Sequence, residues 1–155
     1  IKWPNDVVVS RKKICGILTE MTMKQDKIGC AVIGVGINVN MDSFPEETAD
    51  KATSLYLESG HVFDRAEVVG LVMKHFEENY EKFVQTEDLS ELKADYEKLL
   101  ANLNQPVRVL NPNDPYEGIA RGINAGGELL VERADGSIEE VNSGEVSVRG
   151  LYSYV

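Results

Sequence analysis

Three short stretches carry side chains whose types and spacing suit the handling of an anion. Lys2-Trp3-Pro4-Asn5-Asp6 sets an ammonium and a carboxylate around a rigid turn. Pro4 pushes Trp3 toward extended backbone, and Asn5 and Asp6 are turn formers that also offer oxygen ligands. The group could hold a phosphate and its Mg²⁺, or it could be a structural turn with a surface lysine. In Arg11-Lys12-Lys13-Ile14-Cys15-Gly16, Lys13 stands at the mouth of an apolar run with a glycine three residues on. A glycine there lets a ligand lie against the backbone, and Lys13 offers a compact positive charge to a carboxylate or phosphate. The plainer alternative is a basic turn, for which Arg11 and Lys12 are the models. Gly34-Val35-Gly36-Ile37-Asn38 places two glycines on one face of a strand as a flat floor, and closes on an amide suited to the edge of a base. It is not a dinucleotide fingerprint, because the third glycine is missing and no helix starts after it.

The elements that must hold these groups follow from hydrophobic periodicity. "DVVVS", "ICGILTEM" and "IGCAVIGVGINVN" are β-branched runs joined by tight polar turns, which predicts an antiparallel meander. Their near-continuous apolarity predicts cover on both faces. A polar stretch broken by Pro45 follows, long for a compact domain and so mobile or functional, with a short helix at "ATSLYLES". Asp64 reads as an N-cap with Glu67 completing a capping box. The helix it opens carries Val68, Leu71, Val72, Phe76, Tyr80 and Phe83 at helical spacing, a stripe expected to be core. Ser90 is expected to cap a second helix, with Leu92, Tyr96, Leu99 and Leu103 inward. After residue 103 the chain turns to short strands, "VRVL", "YEGIARGIN", "GELLVERA", "SIEEVN" and "EVSVRG", with a hairpin signal at "ADGS". That pattern predicts a small barrel or sandwich. The domains are therefore expected at 1–103 and 104–155.

Composition limits the function. A formal net charge of −10 opposes nonspecific attraction to nucleic acid or anionic lipid. Cys15 and Cys30 sit in apolar runs and are expected to be buried free thiols. No stretch is long and apolar enough to span a bilayer, and no secretory signal is visible, so the cytoplasm is the expected compartment. His61 and His75 lack partners at ligand spacing, which argues against a transition-metal site.

In this order, "KWPNDVVV", "RKKICGILTEM", "VIGVGINVN", the "FPEE…ATSL" connection, the helix pair and "GEVSVRG" resemble the biotin protein ligases, also called biotin–[acetyl-CoA-carboxylase] ligases, over essentially the whole chain. The resemblance implies an α+β fold: part of a mixed sheet like that of class II aminoacyl-tRNA synthetases with packed helices, then a small SH3-like β-barrel. It implies that biotin and MgATP give biotinyl-5′-AMP, and that a lysine of a biotin carboxyl carrier protein then takes the biotin. Biotin is the substrate, ATP and Mg the co-substrate, and no tightly bound prosthetic group is implied.

By match to the family's motifs, Lys13 grips the biotin carboxyl and α-phosphate, and Lys2 assists at the phosphates. Asn5 lies near the nucleotide and Asp6 near Mg. Gly16, Ile17, Gly34 and Gly36 form the floor under biotin, and Asn38 reads the adenine. Glu145 and Arg149 match residues associated with the nucleotide. The family's Gly/Arg-rich loop before "KWPND" has no counterpart here, so the chain is expected to be the C-terminal part of a longer enzyme and inactive alone. Two other readings are a parent that is chiefly a biotin-sensing repressor, and an interaction module that pairs through a sheet edge, with a homodimer possible.

Overall fold

A computed structural model describes residues 1–25, 27–111, 114–142 and 147–150. Packing divides the chain into two compact units, Asn5–Phe63 and Ile1–Pro4 with Asp64–Val155.

The first unit is built on an antiparallel sheet of β1 (Asp6–Val9), β2 (Lys12–Lys24) and β3 (Lys27–Ile37), in the order β1-β2-β3. This is the meander expected from the three β-branched runs. Ser10 and Arg11 take the left-handed backbone conformation, φ 50° and 64°, in the two-residue hairpin that joins β1 to β2. The sheet is antiparallel, and an isolated parallel bridge joins Lys13 to Ala52. Cover on both faces is found only where Ile14 and Cys15 are buried. Farther along, Leu18, Met21, Val32, Ile33 and Val35 are all exposed. Apolarity states which surface favours cover; within this unit three strands and one short helix do not supply it.

After β3 the chain runs through a turn at 46–51 and the five-residue helix α1 (Leu55–Ser59). Ser54 caps α1, its Oγ accepting from the Leu57 N–H, and Gly60 closes it in the left-handed region at φ 79°.

The second unit opens with α2 (Arg65–Thr86), capped as expected by Asp64, whose carboxylate accepts from the Ala66 N–H at 2.7 Å. Its apolar stripe is not core. No residue of α2 is buried, and Leu71, Phe76, Tyr80 and Phe83 are exposed, the last three stacked along the helix. Helical spacing identifies the face that favours cover but not the element that provides it.

The second helix is shorter than expected. α3 spans Lys93–Lys98 without a side-chain cap, because Asp88 takes the Ser90 N–H and the Leu89 carbonyl takes that of Lys93. With the helix ending at Lys98, Leu100 rather than Leu99 turns inward; Leu99 is exposed. Tyr96 packs against the core, and burial pushes its phenol up to about 12.

The terminal strands match their expected positions closely. β4 (Pro106–Leu110), β5 (Tyr116–Ile123), β6 (Leu129–Glu132), β7 (Ile138–Val141) and β8 (Ser147–Gly150) pair antiparallel in the order β7-β6-β5-β4-β8. The "ADGS" hairpin forms with Gly136 at φ 83° and the Arg133 N–H donating to the Ser137 carbonyl. Val107, Val109, Ala120, Ile123, Leu129, Val131 and Val141 make one core with Leu100 and Trp3. Trp3 is 3% exposed and its indole N–H donates to the Gly127 carbonyl at 3.0 Å. The Trp of "KWPND" is therefore an anchor in the core of the second unit. The fold class is α+β.

Candidate active site

Cross-strand register assembles the anion-handling residues of the first unit. Asp6 on β1 lies opposite Gly16 on β2, and Gly16 lies opposite Gly36 on β3; Leu18 faces Gly34 in the next row of that face. Residues two apart along a strand share a face, so the carboxylate and three glycines line one side of the sheet. Gly34 and Gly36 are exposed, and a Cβ added to either would make only ordinary contacts, 3.6 and 3.8 Å from backbone oxygens. The two form a flat open floor. Ile17 does not join it: adjacent to Gly16 on the strand, its side chain points to the opposite face beside Val35.

Lys13 arches over this face. Its Nζ lies 2.5 Å from Asp6 Oδ1, and a Cβ on Gly16 would stand 2.8 Å from Nζ and 2.9 Å from Cε. Glycine at 16 thus leaves room for the close approach of an amine that a methyl would displace. Asp6 is buried, whereas the Lys13 side chain is 40% exposed, so the cation has a fixed partner below and solvent access above. A bulge aims the amine. Register slips by one residue between Val7 and Val8, pairing Val7 with Cys15 and Val8 with Lys13 and leaving Ile14 unmatched. Cys15 beneath the bulge is buried; desolvation pushes its thiol above the ordinary range, with the Lys13 charge opposing. Cys30 was expected to be buried too but is exposed, since its stretch of β3 is uncovered.

The long connection after β3 meets the same lysine. Both peptide groups of Lys13 bond to it, the N–H to the Lys51 carbonyl at 2.7 Å and the carbonyl to the Thr53 N–H at 2.9 Å. Asn38 donates its side-chain amide to the Thr53 carbonyl at 3.0 Å and gives its own carbonyl to the Leu55 N–H. Glu58 accepts from Thr53 Oγ1 at 2.6 Å and Ser10 Oγ at 2.8 Å, and these bonds, Thr53's first, hold its carboxyl below the usual range. Lys12 donates to the Ala49 carbonyl, so the neighbouring lysine serves the turn. Asn5 locks β1 to β2, its Nδ2 donating to the Ile17 carbonyl and its own carbonyl accepting from Ile17 N–H.

Two family models match this chain: the biotin/lipoate A/B protein ligase family over residues 1–38, and the biotin protein ligase C-terminal domain over residues 103–149. The chain belongs to the biotin protein ligase family. It is 37% identical over 150 residues to a bifunctional ligase/repressor BirA of Bacillus spizizenii, covering 96% of this chain and 46% of that protein. It is 32% identical over 148 residues to a biotin–[acetyl-CoA-carboxylase] ligase of Mycobacterium tuberculosis, covering 94% and 52%. The biotin protein ligase of Aquifex aeolicus, solved in complex with biotin and ATP, superposes with a TM-score of 0.82 at 37% identity, over 97% of this chain and 61% of that one. The chain spans about half the length of the curated relatives it matches.

Within the family's motifs, Lys13, Asp6, Gly16, Gly34 and Gly36 come together on one face, while Asn5 and Asn38 brace the surrounding backbone. Lys2 and Trp3 belong to the other unit. Glu145 lies outside the described residues, and Arg149 is described only as backbone, paired with Arg108 in β8. Asp6 does not fit a protein-held Mg²⁺. No group of three or more His, Cys, Asp or Glu able to hold a metal occurs among the described residues, and the Asp6 carboxylate is already ion-paired to Lys13. Mg²⁺ that arrives on a nucleotide needs only phosphates, water and one or two carboxylates. Thr53, Glu58, Ser10 and the bulge residue Ile14 were not found from sequence. Glu58 reads only as an ordinary helix residue, and the bulge has no sequence mark.

Proposed function

We propose that the protein to which this chain belongs is a biotin protein ligase that activates biotin with ATP and passes it to a carrier-protein lysine. In the first step a biotin carboxylate oxygen attacks the α-phosphorus of ATP, the bond to the β-phosphate oxygen breaks, and pyrophosphate leaves. In the second, the carrier amine attacks the acyl carbon, AMP departs, and the amine loses a proton as the amide forms. The observation that carries this reading is the Lys13 ammonium held by Asp6 over a glycine face. Carboxylate attack on a phosphate crowds two anions together, and fixed positive charge at that point is the main help a protein can give.

In this reading Lys13 meets the biotin carboxylate and α-phosphate, Lys2 assists at the phosphates, and Gly16, Gly34 and Gly36 underlie biotin. Asn5, Asn38, Glu145 and Arg149 serve the nucleotide side by their match to the family. Residues 1–103 form part of the catalytic domain and 104–155 the SH3-like domain. The acyl acceptor is a biotin carboxyl carrier protein, the compartment is the cytoplasm, and a homodimer is possible. No helix among the described residues is long and apolar enough to cross a membrane.

The test is adenylate formation by the full-length protein, followed by pyrophosphate exchange. Lys13→Ala is expected to lower the rate at least about a hundredfold, while Lys12→Ala, which loses only its bond to Ala49, stays near wild type. Equal effects would return Lys13 to an ordinary basic turn. The chain alone is expected to show negligible turnover. A second reading, a biotin-responsive repressor, is favoured by the bifunctional relatives' name and is decided by whether the full protein binds operator DNA.

A further inference from the structure

We infer that Glu58 is a positioning residue for Lys13, fastening the 51–53 segment against the lysine's backbone; this rests on the reading of Lys13 given above. Three independent ties join the β1–β2 hairpin to the long connection. Lys12 holds the Ala49 carbonyl, the Lys13 peptide bonds to Lys51 and Thr53, and Ser10 in the hairpin turn reaches Glu58. Glu58 is where two of them meet. One carboxylate oxygen takes the hydroxyl of Thr53, whose N–H holds the Lys13 carbonyl. The other takes the hydroxyl of Ser10, two residues before Lys12. Thr53 itself is 2% exposed and its carbonyl is held by Asn38, so each of its polar groups has an assigned partner.

Hydrogen bonds to an ionised carboxylate are stronger than neutral ones. The isolated parallel bridge at Lys13 and Ala52 has no neighbouring ladder to stabilise it, so these side-chain bonds add to what keeps it closed. With the side chain held by Asp6 and the main chain held by 51–53, Lys13 is fixed at both ends. Without Glu58 the segment keeps its bonds to Asn38 and Lys12 but loses the tie from Thr53 to the hairpin turn, the Lys13 peptide is freer to shift, and the ammonium is held less firmly above the glycines. Glu58 touches no reacting atom in this scheme and acts through Thr53 and the lysine backbone alone.

Full-length enzyme carrying Glu58→Leu, Glu58→Gln and Lys13→Met, singly and combined, tests this. Glu58→Leu is expected to lower kcat for pyrophosphate exchange about tenfold, with Glu58→Gln recovering most of it because the amide keeps one acceptor for Thr53. In the Lys13→Met background Glu58→Leu should cost nothing further. The same fold loss in both backgrounds, or no loss in the wild type, would overturn the inference. Hydrogen exchange gives a readout without the reaction: Glu58→Leu should accelerate the Lys13 and Thr53 amides while leaving those of β4 to β7 unchanged. Unaltered exchange at Lys13 overturns the clamp even if activity falls. Full activity in Lys13→Met with accelerated exchange in Glu58→Leu overturns the lysine's role and leaves the clamp standing, so the two failures are told apart.

Discussion

Gly16→Ala is the most demanding test of the site geometry, because the substitution is chemically mild and its effect can be worked from distances. Gly16 is not among the positive-φ glycines, so the strand accepts alanine, and the change of fold stability should stay within about 1 kcal/mol. The new methyl would lie 2.8 Å from Lys13 Nζ and 2.9 Å from Cε. Ordinary contact needs about 3.5 Å or more, so the amine must retreat by about 0.7 Å. The end of a lysine can do this, and the backbone need not follow. The ion pair with Asp6, at 2.5 Å, must then lengthen or swing. A displacement approaching 1 Å at a reacting centre costs about a hundredfold, equivalent to about 2.7 kcal/mol of transition-state stabilisation. Pyrophosphate exchange by the full-length protein, read beside urea melts, measures both quantities. Gly70→Ala on α2 is the matched control, since it lies outside the site and no atom stands within 4 Å of its added methyl. A Gly16→Ala rate within twofold of wild type, or a loss matched by an equal fall in stability, would refute the placement of the amine.

Three further outcomes are expected. Asp6→Asn should lower kcat/KM about fivefold, the effect of about 1 kcal/mol for a pair whose lysine is partly solvated, without shifting the Mg²⁺ midpoint; a raised Mg²⁺ requirement would make Asp6 a metal ligand instead. Gly122→Ala should destabilise the second unit by about 1–3 kcal/mol in denaturant melts, because φ is 120° and the new Cβ would fall against the Glu97 carboxylate that accepts from the Ile123 N–H; a neutral result would mean that Glu97 swings clear. Iodoacetamide followed by peptide mass spectrometry should modify Cys30 near neutral pH and Cys15 slowly, the latter gaining only above the ordinary thiol range because burial raises its pKa; equal rates at the two would contradict the burial of the bulge.

Much of the architecture was legible because local rules settle it. The Asp64 cap and the "ADGS" hairpin announce themselves through side-chain chemistry and left-handed backbone, and the strands from 106 onward fall between the turn signals that bound them in sequence. Where the reading failed, the missing information was tertiary. Phe76 and Tyr80 carry a core pattern but are exposed, Ser90 lost its cap role to Asp88, and Trp3 proved to anchor the opposite unit. For the site, Lys13 and the glycines were found by type and spacing. The partner of the amine and the clamp on its backbone depend on Asp6 and Glu58, residues brought near by folding rather than by sequence.

The unmatched Ile14 bears on how the lysine motif can vary. Lys13 and Gly16 are separated by an odd count, and an unbroken strand would send them to opposite sides. The extra residue restores parity, so the spelling K-x-x-G works only in company with that irregularity. The same spelling on an unbroken strand would keep the amine and the glycine in the chain, yet turn the charge to the reverse of the sheet from the Gly36 surface. A search for this activity by spacing alone would accept such a sequence, and the protein it encodes would be silent.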